Sequence, residues 1–62
     1  MTIADFIYLC TEGSLLSVSI FGLEADIELW RGQADEIPDG YMWETVESFD
    51  APENNVITIN IA

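Results

Sequence analysis

Sixty-two residues make one small domain, near the lower size limit for folding without a disulfide or a metal, and such a chain buries only about 60% of its unfolded surface. Half of the residues are hydrophobic, which supplies one core and excludes a disordered chain, but twelve Asp and Glu stand against a single Arg, with no Lys and no His, for a formal net charge of −11. That balance argues against direct binding to nucleic acid or to an anionic membrane, both of which would repel it, and points to a basic protein surface as partner.

Residues 2–12 can be read two ways. Ile3, Phe6, Ile7 and Cys10 fall at i, i+3, i+4 and i+7, one helical face. Thr2 with Asp5 resembles a capping box, and Gly13 fits a C-cap. Against this, Phe6-Ile7-Tyr8-Leu9-Cys10 is rich in strand formers; helix is the reading favoured. The same stretch lacks the basic n-region of a secretory leader and carries Asp5 inside its apolar run, so no leader is expected. Cys10 is the lone cysteine, which rules out an intramolecular disulfide, fits a reducing cytosolic setting, and is most simply a small buried hydrophobe.

Leu16, Val18 and Ile20 alternate with Ser17 and Ser19, and beyond Gly22 the residues Ala25, Ile27 and Leu29 alternate with Glu24, Asp26 and Glu28. A two-residue type II′ turn at Gly22-Leu23 accounts for the shift in phase. It pairs Ile20 with Ala25, Val18 with Ile27 and Leu16 with Leu29 on an inward face, leaving the three carboxylates outward. The stretch SLLSVSIFGL is about half the length needed to span a bilayer, so no membrane segment is expected. Arg31 to Gly40 reads as a loop carrying Asp35, Glu36 and Asp39, Tyr41 to Phe49 as a strand in preference to a helix, and Asp50 to Asn55 as a polar loop. Val56 to Ile61 is a strand with Ile57, Ile59 and Ile61 inward and Thr58 and Asn60 outward. The expected fold is therefore α+β: one domain over residues 1–62, an antiparallel sheet of about four strands with an N-terminal helix packed on one face.

Catalysis has little to work with. There is no His or Lys, Cys10 has no cationic neighbour in sequence, and a carboxylate pair needs a cleft that so short a chain barely encloses; no enzyme is expected. Nor is a metal or other cofactor. Asp35-Glu36-Ile37-Pro38-Asp39-Gly40 lacks the spacing of an EF-hand loop, and there are no Cys or His pairs for zinc. A Ca²⁺-binding module is only a third reading.

The acidic residues remain. Glu24, Asp26 and Glu28 on one strand face would stand about 6.6 Å apart, whereas one DNA strand carries a charge about every 3.4 Å, so a single row reaches about half that density. Asp35, Glu36, Asp39, Glu44 and Glu47 could supply further rows. Any one of these residues is simply solvated surface, yet ordinary surfaces mix both signs and this one does not. Trp30, Tyr41 and Trp43 adjoin the acidic stretches, and Trp30 or Tyr41 could add an anchor at an interface, although aromatics in a small chain are more often core. Arg31 is most simply the partner of a nearby carboxylate.

From MTIADFIYLC through LEADIELWRG to VITINIA, the chain resembles the small phage-encoded anti-CRISPR proteins, in particular inhibitors of type I-C systems; the likeness lies in overall sequence and character rather than in a motif. The resemblance implies an inhibitor in the cytoplasm of the host bacterial cell that binds the CRISPR surveillance complex (Cascade). For acidic members it implies a DNA mimic that occupies the basic, PAM-reading site of an effector subunit. The expected contact residues are Glu24, Asp26, Glu28, Asp35, Glu36, Asp39, Glu44 and Glu47, with Trp30 and Tyr41. The alternative is a small acidic adaptor domain that binds a basic protein without competing with DNA. A monomer or a weak homodimer through an exposed sheet edge is expected.

Overall fold

The computed structural model describes residues 1–9 and 16–62. Helix α1 (Ile3–Tyr8) starts with the expected capping box: the Thr2 hydroxyl accepts from the Asp5 N–H and the Asp5 carboxylate accepts from the Thr2 N–H, each at 3.2 Å. Six residues cannot hold a helix by local bonds alone, so α1 depends on its anchors. Ile3 is fully buried, its N–H donates to the Glu44 carbonyl at 2.9 Å, and Thr2 bridges to Thr45. The helix is capped at Leu9, short of the span read from the sequence; Cys10 and Gly13 lie outside the described residues.

Strands β1 (Ser17–Gly22), β2 (Ile27–Gln33), β3 (Ser48–Glu53) and β4 (Val56–Ile61) form one sheet in the order β2-β1-β4-β3. The fold is α+β, as expected, with a correction to the sheet: it is mixed rather than wholly antiparallel. Two antiparallel hairpins, β1–β2 and β3–β4, meet through their inner strands, and β1 runs parallel to β4. The parallel register sets Val18 beside Ile57, Ile20 beside Ile59 and Gly22 beside Ile61, which joins two apolar rows on one face. Ile59 and Ile61 are buried and Ile57 half-buried, as their alternation predicts. Together with Ile3, Val18, Ile20, Ala34 and Ile37 they make the core, between the sheet and the segments that cross it.

The first hairpin turns later than expected. Gly22 has no positive φ, which excludes a type II′ turn there, and it pairs with Ile27. Leu23 to Asp26 form a four-residue turn closed by the Asp26 N–H on the Gly22 carbonyl at 2.8 Å. Asp26 takes φ 59°, the left-handed region that Asp tolerates better than most residues. A bulge at Leu29 then shifts the register, so that Ile20 faces Trp30 and Val18 faces Gly32. The expected register would have set the small Ala25 opposite Ile20; the observed one packs the Trp30 ring against the core instead, burying far more apolar surface.

The later segments also differ. Arg31 to Gln33 continue β2, and the supposed loop beyond them holds a 3₁₀ turn (Ala34–Glu36) and the start of a short helix, α2 (Asp39–Met42). Tyr41 and Met42 are thus helical rather than extended, and the strand begins only at Ser48. It runs on through the supposed polar loop to Glu53, with Pro52 on the edge strand, where a missing N–H is tolerated. Asn54-Asn55 make the turn into β4, Asn55 at φ 59°. No helix among the described residues is long and apolar enough to cross a membrane.

Candidate acidic interaction surface

Every described Asp and Glu is exposed, and the register decides how they group. Glu24 and Asp26 sit in the turn, not on a strand face, so the expected row of Glu24, Asp26 and Glu28 does not exist. Glu28 alone is in β2. Its pairing with Phe21 puts it on the open face of the sheet, and the bulge that follows brings Arg31, opposite Ser19, to the same side. Arg31 Nη2 donates to Glu28 Oε2 at 2.8 Å, and the Ser19 hydroxyl donates to the same oxygen at 3.0 Å. The Arg31 guanidinium, and after it the Ser19 hydroxyl, hold the Glu28 carboxyl below the ordinary carboxylate range. This is the one ion pair among the described residues, so the lone cation is spent locally, as expected of Arg31.

The other carboxylates expected at the interface gather mainly in two groups. The Leu23 N–H donates to the Ile61 carbonyl at 2.7 Å, which ties the turn bearing Glu24 and Asp26 to the end of β4. Glu44 and Glu47 border Ile61 in a shallow cleft, and the Glu47 N–H donates to the Asn60 carbonyl at 2.8 Å. These four therefore share one end of the sheet. Asp35 and Glu36 follow the far end of β2, roughly 20 Å from the turn at about 3.3 Å per residue, whereas Asp39 opens α2, whose successive turns lead straight to Glu44 and set Asp39 between the two groups.

The aromatics divide differently from the expectation. Trp30 and Tyr41 are half-buried and pack against the core, so neither ring stands free as an anchor. The Tyr41 hydroxyl donates to the Leu29 carbonyl at 3.4 Å, a weak tie between α2 and β2. Trp43, by contrast, is 74% exposed. Sequence reasoning missed two sets of residues. Asp50 and Glu53 add exposed carboxylates on β3 that a loop assignment had set aside. Leu23, in the turn, is exposed, and so are Ile27 and Leu29, which were expected to be buried inward; the later turn pairs Ile27 with Gly22 and so moves these side chains to the end of the sheet, beyond the core.

Comparison with protein-family models, with curated proteins and with solved structures gives no match.

Proposed function

We propose that this chain is an anti-CRISPR-type inhibitor acting as a DNA mimic. Its acidic surface would occupy the basic, PAM-reading site of a type I-C surveillance complex in the host cytoplasm and block target DNA. The observation that carries the reading is the exposure of every described carboxylate residue with a single ion pair among them. Such a surface attracts a Lys- and Arg-lined cleft from a distance and repels DNA itself. The resemblance of the whole chain to small anti-CRISPR proteins supports the same target. Glu24 and Asp26 before β2 and Asp35 and Glu36 after it stand roughly 20 Å apart, about six base-pair steps of a duplex at about 3.4 Å each. A mimic of this kind needs no cofactor and no catalytic group; it competes by steric and electrostatic occupation.

The test is DNA competition. Purified type I-C complex, incubated with the chain and then with labelled target duplex, should lose DNA binding in proportion to the amount of chain bound. Reversing Glu24, Asp26, Glu44 and Glu47 to Lys, or separately Asp35 and Glu36, should weaken inhibition in a folded protein, and the larger loss marks the end that enters the cleft. Inhibition untouched by both sets would remove the acidic surface from the mechanism. A chain that binds the complex while DNA stays bound is an adaptor, not a mimic.

A further inference from the structure

The tip of the first hairpin carries more than charge. Leu23, Ile27 and Leu29 are 47%, 55% and 36% exposed there, although a chain this small has few aliphatic side chains to leave in water. Their positions are fixed. Ile27 pairs with Gly22, and the Leu29 side chain lies across that glycine, its Cδ1 only 3.0 Å from where a Cβ would stand. Leu23 is held by its N–H bond to the Ile61 carbonyl. Around this aliphatic centre stand carboxylates: Glu24 and Asp26 in the same turn, with Glu44 and Glu47 beside Ile61. An apolar centre within a charged rim is the layout of a protein interface.

We infer that the hairpin tip is a docking surface for a basic protein, whose apolar contact, flanked by Lys or Arg, meets Leu23, Ile27 and Leu29. The inference rests on the proposed basic partner and deepens it, since charge imitation alone has no use for three exposed aliphatic side chains. Charge complementarity selects the occupant. A second copy would bring another −11 and set like carboxylates rim to rim.

The test uses the full chain against immobilised type I-C complex. Ile27→Ser with Leu29→Ser should weaken binding at least tenfold while leaving the salt dependence of the affinity unchanged, because no charge is removed. Glu24→Lys with Asp26→Lys should instead flatten that dependence. Should the double serine variant melt early, Leu23→Ser, in the turn, carries the same expectation. Wild-type affinity in these serine variants overturns the inference. Sedimentation showing a wild-type dimer that the serine variants abolish also overturns it, assigning the patch to a second copy. Binding without exclusion of DNA would sink the mimic and leave the docking surface standing. If the chain does not bind the complex at all, the probes become an alternating Leu/Lys peptide and an all-Lys peptide of equal length. Methyl shifts at Leu23, Ile27 and Leu29 produced selectively by the first uphold the surface; equal responses to both overturn it.

Discussion

Gly32 and Gly40 show how much a single absent Cβ can decide. In β2 the Trp30 ring closes over Gly32, and a Cβ there would stand 2.8 Å from ring atoms Cζ2 and Cη2. An indole wedged against the core cannot yield as a flexible chain would, so Gly32→Ala should destabilise the protein by about 1–3 kcal/mol in urea titration, with altered tryptophan fluorescence. Gly40, in α2, has nothing within 4 Å of its Cβ position. Gly40→Ala should therefore be stabilising by about 0.4–1 kcal/mol, mainly by restricting the unfolded chain. Glu28 makes a different kind of prediction. Its carboxyl is held below the ordinary range by Arg31 and then Ser19, so its folded pKa lies under its unfolded one. Its contribution to stability is present above the unfolded pKa and is lost as pH falls through the folded pKa. Glu28→Gln should lower the melting temperature slightly at neutral pH and lose that difference in strong acid. The effect should be small, because both partners are exposed.

At the scale of elements, α1 is the most dependent on one interaction. Its six residues need the capping box and the Ile3 anchor together. Thr2→Ala removes the hydroxyl that accepts from Asp5 but keeps the backbone bridge to Thr45. It should cost about 1 kcal/mol in chemical denaturation, and Thr2→Ser should restore most of the loss. This cap was legible in the sequence because Thr2 and Asp5 satisfy each other over three residues. The alternation of β4 was legible for a similar reason, its burial following the period of a strand. The first hairpin was legible only as a hairpin. Alternating residues 23–29 fit either register equally well, and the choice fell to distant partners: Ile61 holding Leu23, and the core accepting Trp30 in place of Ala25. The parallel junction of β1 with β4 was not legible at all, since turn signals fix each hairpin but say nothing of how two hairpins dock. The site inherited these errors. The acidic residue types were plain in the sequence, but whether Glu24 and Asp26 stood beside Glu28 or Glu44 depended on the turn.

For the whole molecule, the relation between charge and size sets opposite salt responses for folding and for binding. The protein measures 29 × 23 × 17 Å and carries a net charge of −11. At about 0.01 M salt the screening length is about 30 Å, so carboxylates at opposite ends of β2 repel one another. Near 0.15 M it falls to about 8 Å and only neighbours interact. Self-repulsion opposes the compact state, so the melting temperature should rise over this range; in a domain this small each kcal/mol regained is worth roughly 4–8 °C. Association with a basic cleft should weaken over the same range, because the same screening removes the attraction. Glu24→Lys with Asp26→Asn, which keeps a residue that tolerates φ 59°, should then raise the melting temperature at low salt and flatten its salt dependence while lowering affinity. Calorimetric scans of both proteins at the two salt concentrations decide the matter. A wild-type melting temperature that does not move with salt would mean that the carboxylates act independently, and that their crowding on so small a body carries no folding penalty.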